Sequence, residues 1–171
     1  MSFPNLEEAL RQSEEFSSRL IESSRDCIKV LDLKGHLLSI NAHGMTALEI
    51  CDFGPLIGSP WLEFWHGQDR EQAEAAIEQA RQGQVGRFTG YFPTTQTQIP
   101  KWWDVSVTAI LDKAGQPEKL LAVSRDVTEL KQAEQVLRRS HEQLEQQVAA
   151  RTRDLIQTST VLQEIVEGVE S

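Results

Sequence analysis

Cysteine is scarce in this chain: Cys27 and Cys51 are the only two among 171 residues. They stand far apart, with no Cys-x-x-Cys pair and no Cys/His spacing able to hold a metal. Both read as buried, reduced thiols, and no metal site is expected. Long apolar runs are missing as well. No window reaches the roughly 18 uncharged residues that a membrane helix needs, and the start, MSFPNLEEALRQSEEF, lacks the basic segment and apolar stretch of a signal peptide. The expectation is a cytoplasmic chain with no membrane within it. Positive charge is the third deficit, with 17 Lys and Arg against 26 Asp and Glu and a net charge of −9. The densest basic stretches, Arg138-Arg139 and Arg151 with Arg153, are diluted by acidic neighbours, so a nucleic-acid partner is not expected.

What is present is a globular composition, 39% apolar and 25% charged. The length suits one domain with an appendage. Leu6, Ala9, Leu10, Phe16, Leu20 and Ile21 recur at helical spacing, opposite Glu7, Glu8, Glu14 and Glu15, which predicts an amphipathic opening helix over 1–24. Cys27 to Leu31 and His36 to Ile40 are β-rich and flank an Asp-Leu-Lys-Gly turn, the pattern of a hairpin. Asn41 suits the cap of a following helix with Met45, Leu48 and Ile50 on its apolar side, stopped by Gly54-Pro55. Short, broken helices are expected through Trp61, Phe64 and Trp65. Asp69 to Gln82 is rich in Ala and Glu, opens on an acid and is closed by Gly83, the pattern of a secure helix. Three β-type segments follow: Gly86 to Phe92, Lys101 to Leu111 and Lys119 to Val127. In the middle one, Trp103, Val105, Val107, Ala109 and Leu111 alternate with Asp104, Ser106 and Thr108, giving one buried face. The order predicts an α+β domain over 25–128, a five-stranded antiparallel sheet with helices on one face.

Several phrases carry a family resemblance. SEEFSSRLIESSRDCIKVLDLKGHLLSIN, residues 13–41, resembles the opening of a PAS domain, and LLAVSRDVTELKQAE, 120–134, resembles its closing strand and exit helix, the PAC motif. Between them, WLEFW, GRFTGYFPT and KWWDVSVTAILDKAGQPEKL resemble the PAS domains at the front of bacterial sensor histidine kinases. The resemblance covers about 6 to 134. It implies the PAS fold, a sensory role in signal transduction such as a two-component system, and a downstream output domain in cis or in trans. It does not choose the signal.

Beyond the domain, Thr128 suits a helix cap, Glu129 opens the helix, and no Gly or Pro occurs from there to Glu167. Leu130, Leu137, Leu144, Arg151, Thr158 and Ile165 share one heptad position. Val127, Glu134, His141, Val148, Leu155, Leu162 and Val169 share the other. A stripe this narrow cannot be buried by one helix, so 129–171 is read as a signalling coiled coil and the chain as a homodimer, with Leu130, Leu137, Leu144, Val148, Leu155 and Leu162 as the dimer seam. SHEQLEQQVAARTRDL resembles the linkers between PAS and output domains. VLQEIVEGVES resembles the start of another PAS domain, which implies a longer parent protein.

The candidate sites are weighed on chemistry. Ser140-His141-Glu142 resembles a kinase phospho-acceptor, but Gln143-Leu144-Glu145 follows where that motif has Leu-Arg-Thr-Pro, and no ATP-binding segment is present. His141 reads as a coiled-coil residue and the chain as no enzyme by itself. By resemblance, a haem-binding member supplies an axial histidine from its long central helix. Residues 69–82 contain none, and His66 lies just before them, so haem is disfavoured. Covalent flavin is disfavoured too, because neither cysteine sits in the Asn-Cys-Arg phrase of the flavin light sensors. Non-covalent flavin or a small organic ligand remains open. Trp61, Trp65, Trp102 and Trp103 suit either core anchors or a stacking surface. Ligand walls are expected from the sheet's concave face at Phe88, Trp103, Val105, Leu121 and Val123, with Ile77 opposite. Asp126 and Thr128 are expected to couple the last strand to the helix. The competing reading is a dimerisation module with a cavity packed shut.

Overall fold

The computed structural model describes residues 4–169. The ends of the opening and closing helices assigned above to 1–3 and 170–171 lie outside the described residues. Between Thr128 and Glu129 the chain divides into two compact units.

In the first unit, α1 (Pro4–Ser23) leads to β1 (Cys27–Leu31) and β2 (Leu37–Ile40), then α2 (Ala42–Leu48), two single 3-10 turns at Gly54–Leu56 and Trp61–Phe64, and α3 (Gly67–Arg81). Strands β3 (Gly86–Tyr91), β4 (Trp102–Leu111) and β5 (Pro117–Asp126) complete a five-stranded sheet in the order β2-β1-β5-β4-β3. All four pairings are antiparallel. The first and last strands are therefore neighbours, with β5 at the middle of the sheet between β1 and β4.

Period-two alternation decides what each strand buries. Cys27, Lys29 and Leu31 of β1, Leu120, Ala122 and Ser124 of β5, and Trp103, Val105 and Val107 of β4 face the core. Ala73, Ala76, Ile77 and Ala80 of α3 cover the β3–β4 end of that face. Small residues are needed there because the helix lies almost on the sheet. A Cβ placed on Gly86 would stand 2.3 Å from the Ala76 carbonyl oxygen. Trp61, fully buried, fills the space beside the helix. Withdrawing such a side chain from water contributes on the order of 3 kcal/mol.

Asn41 fastens the other end. Its Oδ1 accepts from Gly44 N at 3.0 Å, capping α2, and from Ile28 N at 2.9 Å; its Nδ2 donates to the carbonyls of Ile21 and Asp26. One buried amide thus spends its donors and acceptor on α1, β1 and α2 together.

Three expectations are corrected. Helix α2 ends at Leu48, before Gly54-Pro55, because Glu49 takes the left-handed conformation (φ 58°) and its carboxylate accepts from Thr97 N and Oγ1 at 2.8 and 2.7 Å. Helix α3 begins at Gly67, and Asp69 in its first turn accepts from Tyr91 N at 2.8 Å, tying the helix to the end of β3. Cys51 is exposed, not buried: it follows α2 onto the surface, where Gln96 Nε2 donates to its sulfur.

The second unit is one helix, α4 (Thr128–Val169, 42 residues). Internal pairs such as Lys131–Glu134 at 3.5 Å and Arg138–Glu142 at 3.8 Å line its surface. Leu130, Leu137, Leu144, Val148, Leu155 and Leu162 are all exposed in the single chain. The segment resembling the start of a further PAS domain continues α4 as far as Val169. No helix of the described residues is long and apolar enough to cross a membrane.

Candidate functional site

Two places in the first unit concentrate polar chemistry. The first is the junction where β5 becomes α4. Asp126 Oδ1 accepts from Thr128 N at 3.0 Å and from Thr128 Oγ1 at 2.5 Å, while Asp126 Oδ2 pairs with Lys101 Nζ. Thr128 Oγ1 in turn accepts from Trp102 N at 3.0 Å, and Val127 N donates to the Trp102 carbonyl at 2.9 Å. The turn is stitched to the start of β4 as well as to itself. Burial pushes the Asp126 carboxyl up, but the Lys101 ammonium and the Thr128 donors outweigh it and hold it below the ordinary carboxylate value. Sequence reasoning missed Lys101 and Trp102, which lie 25 and 26 residues from their partners and reach them only through the β4–β5 pairing.

The second is a cavity between the sheet and the Trp61–Phe64 turn. Its volume is about 10 Å³, the lower limit of the space one water needs. Leu48, Phe64, Phe92 and Trp103 give it apolar walls; Lys29, Trp61, Trp65 and Ser124, whose side chains carry polar atoms, complete the lining. Each of these four is at least nine-tenths buried. The rings are locked edge to face: Trp61 and Trp65 have centroids 5.7 Å apart, and Trp65 stands 5.0 Å from Phe88. Gly90 makes room for this cluster, since a Cβ there would meet the Trp65 ring at 2.6 Å.

The polar atoms are poorly matched. Trp103 Nε1 donates to the Phe92 carbonyl at 2.9 Å, but Trp61 Nε1, Trp65 Nε1 and Ser124 Oγ have no hydrogen-bond partner among the described residues. Lys29 Nζ reaches the Cys27 sulfur at 2.9 Å and lies 5.8 Å from the Phe64 ring centroid. A thiol is a weak acceptor, and among the described residues no Asp or Glu lines the cavity. Leaving a buried donor unpaired costs about 1–3 kcal/mol.

Of the residues expected to form ligand walls, Trp103 lines this cavity. Phe88 packs behind Trp61 and Trp65, Val105 is buried beneath the helices, and Ile77 is buried against the Asp32–Gly35 turn, its Cδ1 3.1 Å from where a Gly35 Cβ would stand. For Leu121 and Val123 the expected placement on the sheet's concave face is corrected. They point to the opposite face of the sheet, because the inward parity of β5 belongs to Leu120, Ala122 and Ser124. Trp102 likewise stands on the outer face, 5.5 Å from Tyr91. On α4, the His141 ring lies 3.6 Å from Glu145, one turn further on.

Comparison with known proteins bears on the first unit. The family described as the PAS fold matches residues 21–132. No curated protein matches the chain. Among solved structures, the chain is similar to the PAS domain of an HTR-like protein from Haloarcula marismortui, at 22% identity and TM-score 0.60 over 72% of this chain and 98% of that one. It is also similar to a PAS domain from Colwellia psychrerythraea, at 20% identity and TM-score 0.58 over 67% and 97%. An RNA-binding Light-Oxygen-Voltage receptor aligns at 15% identity and TM-score 0.64, over 75% of this chain and 37% of that one. At these identities the likeness is one of fold.

Proposed function

The chain belongs to the PAS fold family, and from that premise we propose that it is a sensory relay module working as a homodimer in the cytoplasm. A change in the core of the 25–128 domain passes through Asp126 and Thr128 into the paired helix 129–171, and so to an output domain such as a histidine kinase. No reaction is assigned to this chain. The observation that carries the proposal is the junction. Asp126, Lys101 and Trp102 bind the exit of β5 and the start of β4 to Thr128, the first residue of α4, and in this reading a shift between the two strands is passed on at that residue. The seam supplies the second requirement. Leu130, Leu137, Leu144, Val148, Leu155 and Leu162 repeat at heptad spacing and lack cover in the single chain, the condition a second identical helix satisfies.

The small cavity volume favours a second reading, a dimerisation module that senses nothing. Spin labels separate the two. With Cys51→Ser as background and a label at Gln143, the distance between the two copies is expected to shift or broaden when Thr128 becomes Val or Lys101 becomes Met. An unchanged distribution in both variants would favour the plain dimer and remove the relay.

A further inference from the structure

We propose that the cavity between the sheet and the Trp61–Phe64 turn is a site for a small anion, a halide ion or the carboxylate of a small acid, held by Lys29. The inference rests on reading the domain as a ligand sensor and gives that ligand a chemical class.

The case is one of unmatched donors. Lys29 is 4% exposed and sits in the middle of β1 on the inward parity, between Cys27 and Leu31. As an ammonium, its Nζ offers three donors. One goes to the Cys27 sulfur; the cavity supplies no carboxylate for the others. A buried cation is ordinarily paired. Around the same cavity, the Trp61 and Trp65 indole N–H groups, which can only donate, have no acceptor, and the Ser124 hydroxyl has no partner either. These residues come from β1, β5 and the 61–65 segment, so no local accident of one element gathers them. Each of the four is a group that can donate to a negatively charged acceptor. A water molecule can accept only two hydrogen bonds, and it leaves the Lys29 charge uncompensated.

Size sets the class further. At about 10 Å³ the space admits a body no larger than a water without rearrangement; a halide ion is larger than a water, so the cavity has to widen for it, though less than for a carboxylate. A carboxylate needs the Trp61–Phe64 turn to move outward. That turn is joined to the sheet through the His36–Pro60 bridge and the Trp61 N to Gly35 O bond, so such a movement reaches the β1–β2 hairpin.

The test uses the full chain in gluconate buffer of fixed ionic strength, gluconate being too large to enter. Sodium bromide and sodium acetate are titrated separately while melting temperature and tryptophan emission are followed. Either salt is expected to raise the melting temperature saturably and to change the emission, and the salt that acts distinguishes a monatomic ion from a carboxylate. Lys29→Met is expected to weaken the response about tenfold or more, the scale of a lost charge-assisted hydrogen bond. Trp65→Phe, which removes one indole donor and keeps a ring, should weaken it less, and serves as the second variant if Lys29→Met does not fold. Absence of a saturable response to both salts, or equal responses in wild type and both variants, overturns the anion site. If the response is absent but the spin-label distance still depends on Thr128 and Lys101, only the ligand class fails; if both are lost, the sensory reading fails with it.

Discussion

Asp126 fastens the junction of β5 and α4, and the relay proposed above would run through the same contacts. Its carboxyl is held below the ordinary value, about 3.9, so its contribution to stability is fully present above that pH and is lost as pH falls through the lowered folded-state value. In Asp126→Asn the Lys101 partner loses its charge complement. The variant is expected to be about 1 kcal/mol less stable than wild type from pH 5 to 8, the scale of a partly exposed ion pair, with the gap closing below pH about 3.9. Urea titrations at pH 7 and pH 3 read this directly; a gap independent of pH would contradict it. Asp126 and Thr128 were legible in the sequence as a strand-to-helix junction, but the Thr128 hydroxyl expected to cap α4 instead accepts from Trp102 N and donates to Asp126 Oδ1. Lys29 and Ser124 were not singled out, although both share the inward parity of their strands, a signal that was there to find. Leu121 and Val123 were misplaced for a physical reason. In Leu120-Leu121-Ala122-Val123 apolar residues occupy both parities, so composition cannot say which face is inside, whereas Asp104, Ser106 and Thr108 mark the outside of β4 unambiguously.

At the scale of elements, the order of strands and helices followed from periodicity, and most boundaries moved by one or two residues. The larger departures have tertiary causes. Helix α2 stops at Leu48 because a carboxylate from Glu49 is captured by Thr97, 48 positions later, a partner that no local pattern announces. The packing of α3 on β3 depends on Gly86, where the Ala76 backbone occupies the place of a side chain. Backbone cannot yield as the end of a flexible side chain does. Gly86→Ala is therefore expected to cost about 2–3 kcal/mol, seen as a lowered urea midpoint with unchanged slope. A loss below about 0.5 kcal/mol would show that helix and strand separate freely.

At the scale of the molecule, the account depends on two copies sharing one seam. The sheet domain's core is closed on itself, but α4 leaves six heptad leucines and valines without cover, and a lone helix of this polarity gains nothing from that stripe. In the proposed seam, polar Glu134, His141, Arg151 and Thr158 would interrupt the apolar repeat, weaken it and let two registers lie close in energy. The spacing of this seam was readable from the sequence, since it belongs to one helix alone. The cavity was not, because its walls come from segments between residues 29 and 124 that only the fold assembles. The most direct measurement is light scattering at micromolar concentration on the full chain and on a variant carrying Leu137→Lys and Leu144→Lys. The account predicts the mass of two chains for the first and one folded chain for the second; a full chain that scatters as a single copy would contradict it.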